Sequence, residues 1–270
     1  MSNLPIYLFT FLAYSALSAF FLRAQWAGNA ELKNRGLLGN AVLLPLMLHG
    51  YLLFNTLWIA GALNLSLVNA LSLILWLTIL VYWLGHFFYP LASLKALVLP
   101  LAGVGVLLPL MFPPAKITLQ PMSLIFDAHV LVAMLAYSLF TIAVLHAALM
   151  SFVENSLHKA KLPALLRNLP PLLTMETLLF RIIATGFVLL TLTLLSGGIF
   201  SEQIFGKAWQ FNHKILFGFI SWVVFGVLLV GHYFYGWRGR RAVSWTMSGF
   251  GFLLLAYIGS KFVLEVILHR

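Results

Sequence analysis

The sequence predicts an all-α, polytopic membrane protein with eight transmembrane helices, and three observations carry that prediction. Of its 270 residues, 62% are hydrophobic and 8% charged, with a mean hydropathy of +1.01. The apolar residues gather in runs of about 20, the length that crosses a bilayer as a helix. Lysine and arginine collect in alternate connections between those runs, the pattern that sets orientation in a membrane.

Taken in order, the first run covers residues 4–22. The surrounding MSNLPIYLFTFLAYSALSAFFLR lacks a basic leader region and a small-residue cleavage site, so it reads as a retained first helix. The second run, 38–59, contains Pro45, and the fourth, 91–112, contains Pro100 and Pro109. These prolines are expected to kink their helices, which membrane spans tolerate when neighbours satisfy the freed carbonyls. The third run covers 65–84, the fifth 128–151, the sixth 177–196, the seventh 211–233 and the eighth 243–267. Together they make one integral membrane domain over residues 1–270. No convincing internal repeat is visible, which disfavours an inverted-repeat transporter. Residues 154–176 form the longest connection. Its LPALLRNLPPLLTME mixes leucines, basic residues and prolines, a composition suited to lying in the interface. Glu176 then opens the sixth span, where a carboxylate complements the helix dipole.

The odd-numbered connections hold Arg23, Lys33, Arg35, Lys95, Lys159, Lys161, Arg167, Arg238, Arg240 and Arg241, with Arg181 just inside span six. The other side holds Lys116, Lys207, Lys214, Lys261 and Arg270. This asymmetry places the odd connections in the cytoplasm and both termini on the external, periplasmic side. The WRGRR hairpin at 237–241 is its strongest element, and a topology signal is all that it needs to be. The net charge of +10 therefore does not indicate nucleic acid, because the basic residues occupy short loops, not one face or a tail.

Cysteine is absent, which excludes disulfides, cysteine metal sites, a thiol nucleophile and thioether attachment of haem to this chain. No HExxH, G-x-S-x-G or glycine-rich phosphate loop is present, and the acids Glu31, Asp127, Glu154, Glu176, Glu202 and Glu265 are scattered. No motif supports enzymatic turnover.

Histidine is the informative residue. His49 lies near the middle of span two, His86 at the cytoplasmic end of span three, and His146 and His232 near the cytoplasmic ends of spans five and seven. His129 starts span five, His213 starts span seven and His269 ends span eight, all at the external face; His158 falls in a solvated loop. Ionisable side chains within spans are costly and face a bundle interior, a cofactor or a water path. Each also reads as a hydrogen-bonded packing residue, and His86 in YWLGHFFY as part of an aromatic belt. Haem iron is satisfied by imidazoles from different helices, and lysines can pair with its propionates. Without cysteine such a haem would be held non-covalently, with haem b as the candidate. Residue chemistry permits this and does not establish it.

Four stretches resemble the cytochrome c assembly protein family, the haem-handling membrane proteins of the CcsA, CcmC and CcmF kind. They are PMSLIFDAHVLVAMLAYSLFTIAVL (121–145), PPLLTMETLLFRIIATGFVLLTLTLLSGGIF (170–200), HKILFGFISWVVFGVLLVGH (213–232) and GWRGRRAVSWTMSGFGFLLLAYIG (236–259). The family-like core is thus about 121–260. The resemblance implies His129 as the first external histidine, His232 as the histidine at the cytoplasmic end of the seventh span, and His49 as its transmembrane partner. His269 falls near the second external histidine, about one residue out of register.

Members that present haem carry a tryptophan-rich loop ending in W-D-P-K-E. The equivalent positions here read Phe211, Asn212, His213, Lys214 and Ile215. Lys214 is kept, Trp209 stands as a trace of the platform or an interfacial anchor, and His213 supplies an external imidazole. Asn212 can cap the following helix, and Lys214 can snorkel to the interface. This is the look of the YpjD-like and HemX-like branch, which lacks the full loop.

The expected function is haem binding or handling in cytochrome c biogenesis at the bacterial inner membrane, with the lipid bilayer and other cytochrome c maturation or membrane-complex subunits as partners. The alternative is a non-catalytic scaffold or accessory subunit that keeps the fold without presenting haem. A small-molecule or ion transporter is the third reading and draws only on the intramembrane histidines.

Overall fold

A computed structural model describes residues 3–27, 37–59, 62–88, 95–112, 119–120, 124–158, 169–205 and 213–262. Within them the chain is nearly all helical. Six helices are long and apolar enough to cross a membrane: α1 (Leu4–Trp26), α4 (Leu67–Gly85), α6 (Leu124–His158), α7 (Leu172–Phe205), α8 (His213–Tyr235) and α9 (Gly239–Leu254), the last continued by a π turn, Leu255–Gly259. Three shorter helices are α2 (Leu37–Asn40), α3 (Leu43–Leu57) and α5 (Lys95–Met111), of which α3 and α5 are apolar. A last short helical piece, α10, covers Ser260–Phe262.

Three sequence expectations change. Pro45 does not kink a continuous span two; the helix is interrupted at Ala41–Val42 and restarts, so that Pro45 falls in the first turn of α3. Its ring excludes the carbonyl four residues earlier, that of Ala41, and its missing N–H costs nothing in a first turn. The connection 154–176 is shorter than expected, since α6 continues to His158 and α7 begins at Leu172. Lys95 is not a solvated loop charge. It is 1% exposed, its ammonium donates to the Gly39 carbonyl at 3.2 Å and it lies 4.8 Å from the centre of the Phe21 ring.

Chain contacts divide the molecule into two compact units, residues 1–121 with 153–171, and 122–152 with 172–270. In the first unit α1 packs on α5, α4 on α5, and α3 on α1 and α4. Small residues allow the close approach, as is usual where lipid removes the hydrophobic drive between helices: Gly103 faces Phe11 and Tyr14, and Gly105 faces Leu75. Tyr7, Leu52 and Val106 form a buried cluster.

A small antiparallel sheet not anticipated from the sequence joins β1 (Trp58–Ile59), β2 (Ala62–Asn64) and β3 (Leu119–Gln120), with Trp58 opposite Leu63 and Leu63 opposite Gln120. It satisfies backbone groups where α3 ends. Asn69 then stitches that end to α4: its amide donates to the carbonyls of Thr56 and Asn64, both at 3.1 Å, while Ser66 caps the helix by accepting the Asn69 N–H at 3.3 Å.

In the second unit α8 packs on α7 and α9. Its centre is Phe140 stacked on Phe225, ring centroids 4.0 Å apart. Two glycines clamp the pair. A Cβ at Gly186 would stand 3.1 Å from Phe140, and one at Gly249 would stand 2.8 Å from Phe225. Tyr137 donates its hydroxyl to the Leu253 carbonyl at 2.8 Å, beside the π turn, tying α6 to the last helix.

Candidate functional site

His49, His129, His213, His232 and Lys214 fall among the described residues; Trp209 and His269 lie outside them, as do Phe211 and Asn212. His49 belongs to the first unit and the others to the second.

His49 sits on α3, 1% exposed, with Nε2 3.0 Å from the Ser72 hydroxyl on α4. Tyr14 of α1 meets it edge-on, ring centroids 6.0 Å apart. The Nδ1 of His49 and the Tyr14 hydroxyl are both buried, with no hydrogen-bond partner among the described residues. A buried polar atom left so costs about 1–3 kcal/mol.

His146, also buried, behaves similarly. Its Nε2–H donates to the Met175 carbonyl at 2.8 Å, and its Nδ1 is buried without a partner. In both core histidines the outer nitrogen is the one engaged.

His232 is built the other way. It lies near the end of α8, where Gly236, at φ +63°, ends the helix in the left-handed conformation that glycine adopts without steric penalty. Gly236 N–H returns to the His232 carbonyl at 3.1 Å, and Trp237 N–H to the Gly231 carbonyl at 3.0 Å. The turn brings the Trp237 carbonyl to 3.0 Å from His232 Nδ1. A carbonyl only accepts, so Nδ1 carries the proton and Nε2 is the basic nitrogen. Phe180 of α7 stacks on the imidazole at 3.4 Å and 12°, which fixes the ring plane. Gly231 is needed here, because the Trp237 ring occupies the place of any Cβ.

His129, in the second turn of α6, follows the same pattern. Its Nδ1 is 2.7 Å from the Ser196 hydroxyl on α7. That hydroxyl donates to the Leu192 carbonyl at 2.7 Å, so it accepts from His129, and Nε2 is again the basic nitrogen. Lys214 lies near enough to act electrostatically on His129, with its ammonium 4.7 Å from the centre of the Tyr257 ring. His213 is exposed at the first residue of α8.

Glu176 is not a first-turn dipole partner. It stands at the fifth residue of α7 and pairs with Arg238, Oε1 to Nε 3.3 Å. The WRGRR hairpin therefore has a structural partner besides its topological role. Arg241 also lies over the Trp237 ring at 5.3 Å.

A histidine whose Nδ1–H is held by a carbonyl or hydroxyl, with Nε2 left basic, is the arrangement that orients imidazole ligands toward a metal. The donor chemistry at His232 therefore fits haem iron, and His129 has its Nδ1 engaged in the same way. Among the described residues no group of three or more histidine, aspartate or glutamate side chains could hold a metal ion by itself. Ser196, Phe180 and the Trp237 carbonyl were missed in the sequence. Only the SGG at 196–198, a polar and flexible triplet inside an apolar run, marks the place of the first.

A family model described as cytochrome C assembly protein matches residues 39–268. The chain is 37% identical over 139 residues to "Inner membrane protein YpjD" of Escherichia coli (strain K12), covering 52% of each chain. It is 38% identical over 89 residues to "Cytochrome c biogenesis protein CcsA" of Prochlorococcus marinus (strain MIT 9515), covering 33% of this chain and 28% of that protein. The chain thus spans about half the length, or less, of these curated relatives. No solved structure matches it significantly.

Proposed function

This chain belongs to the cytochrome C assembly protein family, and from that premise we propose that it is a haem-handling, multi-pass protein of the bacterial inner membrane with a role in cytochrome c biogenesis. The relatives named for an inner membrane protein and for cytochrome c biogenesis support the place and the process. Eight crossings with both termini external complete this reading, α3 and α5 making the two short ones.

The observation that carries the haem reading is His232. Its Nδ1–H is committed to the Trp237 carbonyl and its ring is held flat on Phe180, so Nε2 has a set direction and a set lone pair. His232 would hold a haem b through Nε2, and the group would supply an iron centre that accepts imidazole nitrogen. His129 offers a second imidazole of the same tautomer, held by Ser196, and Lys214 beside it supplies a cation for a carboxylate. His213, Trp209 and His269 remain candidates for the external face. His49 remains a candidate within the first unit, where its Nε2 is engaged by Ser72.

The test is an absorbance spectrum with a pyridine haemochrome assay on the purified full chain, before and after haem feeding. A Soret band that falls at least tenfold in His232→Ala is expected. A folded protein that takes up no haem overturns the reading.

A scaffold or accessory role is the second reading. It is favoured by the degenerate 209–214 stretch and by the engagement of His49 with Ser72. A stable co-purifying subunit without cofactor supports it.

A further inference from the structure

The second unit carries an apolar groove that the haem reading does not use. It has a volume of about 500 Å³ and runs along α8 against α7, with Phe187, Trp222 and Trp237 as walls and Gly226 and Gly231 in its floor. The polar atoms of the walls are turned away: Trp222 Nε1 donates to Thr191 Oγ1 at 2.8 Å, and the Trp237 N–H and carbonyl are both taken up in the turn after α8. No histidine lines the groove, so haem iron would find no imidazole there. It is open along Val223, Val227 and Val230, the side that faces lipid in a spanning helix.

Length and charge identify the occupant. From Trp222 to Tyr235 the groove follows 14 residues of helix, a rise of about 20 Å at 1.5 Å per residue. One leaflet of hydrocarbon is about 15 Å deep. At one end the groove meets Trp237, which is followed by Arg238 and the first residues of α9, Gly239, Arg240 and Arg241. Glu176 neutralises Arg238, which leaves Arg240 and Arg241 as exposed positive charges. Tyr233, Phe234 and Tyr235, all strongly exposed, mark the same level as an aromatic interface. An apolar slot long enough to span one leaflet, with exposed arginines that have no carboxylate partner among the described residues at its end, is complementary to a lipid with an anionic head.

We propose that this groove is a binding site for an anionic phospholipid, one acyl chain lying between Phe187 and Trp237 and the phosphate on Arg240 and Arg241. Neither arginine belongs to the haem-ligand set, and the groove shares with it only Trp237, whose backbone carbonyl, not its ring, holds His232, so variants at the arginines test the site apart from that function.

The experiment is native mass spectrometry of the full chain in detergent, titrated with phosphatidylglycerol, phosphatidylcholine or inorganic phosphate. One phosphatidylglycerol per chain is expected to bind well ahead of phosphatidylcholine. Arg240→Gln, a surface change, lowers that affinity about fivefold, and Arg240→Gln with Arg241→Gln lowers it by about that factor again. Gly226→Leu, whose Cβ has ordinary space beside Phe187 at 3.5 Å, fills the groove and weakens binding with the charges intact. Equal retention of phosphatidylcholine, unchanged affinity in the double variant, competition by inorganic phosphate at equal concentration, or a polypeptide seated on the groove in place of lipid would each overturn the proposal.

Discussion

The surroundings of His49 in the first unit and of His232 in the second solve the same problem in opposite ways. Both place an imidazole in an apolar helix, where an unsatisfied ring nitrogen is costly. At His49 the outer nitrogen is engaged by Ser72 and the inner one is left buried with no partner among the described residues. At His232 the inner nitrogen is engaged by the Trp237 carbonyl and the outer one keeps its lone pair. The first arrangement locks two helices together; the second leaves Nε2 as the basic nitrogen of the ring. The lesson is that a histidine in a membrane span becomes ligand-ready through which nitrogen its neighbour takes, not through its depth.

The largest effect that breaks this comparison is a reversal of roles. His232→Ala is expected to lose haem at least tenfold, as above, with little loss of stability. His49→Ala is expected to keep haem and to destabilise the first unit by roughly 2–4 kcal/mol, as for loss of a large buried side chain. Thermal unfolding in detergent, read beside the Soret band, separates the two. A Soret band lost equally in both variants would make His49 a ligand and end the contrast.

Gly249→Ala comes next. Its Cβ would press on Phe225 at 2.8 Å, against the stacked Phe140, and overpacking of this kind costs about 1–3 kcal/mol. The same substitution at Gly226, where the nearest ring atom is 3.5 Å away, is expected to be close to neutral. Comparing the two midpoints of unfolding checks whether the core of the second unit is as tightly specified as the geometry indicates.

Smaller effects sharpen the serine partners. Ser72→Ala should cost about 1 kcal/mol in stability and leave the Soret band unchanged, since it removes a helix-to-helix bond. Ser196→Ala should move stability little and weaken haem retention, because it frees the His129 ring to rotate. If both serines behave alike, the distinction between a packing and an orienting partner fails. Smallest of all is Glu176→Gln, expected to change stability by under about 1 kcal/mol, because its partner Arg238 is well exposed and such pairs are screened by solvent and salt.

Much of the architecture was legible in the sequence because hydropathy is a local property. Runs of leucine, isoleucine, phenylalanine and valine dictate helices wherever lipid supplies no partner for backbone groups. The described helices accordingly overlie all eight runs, with ends displaced by a few residues and the break near Pro45 misjudged. The sheet at 58–64 and 119–120 was not legible, since its strands are two or three residues long and pair across a wide separation. The family, too, was readable from motifs such as HKILFGFISW and GWRGRR, and the family match covers most of the chain.

By itself, then, the sequence determined that this is a helical membrane protein of the cytochrome C assembly family, with histidines as its leading ligand candidates. The tertiary structure alone decided which neighbours the described histidines meet. His129 takes its acceptor from Ser196, 67 positions away, and His49 takes Ser72 from a different helix. Glu176 finds Arg238, and Lys95 is drawn into the core by Gly39 and Phe21. A tautomer, an ion pair and a buried cation are properties of the partner as much as of the residue, and the partner is set by packing between distant segments.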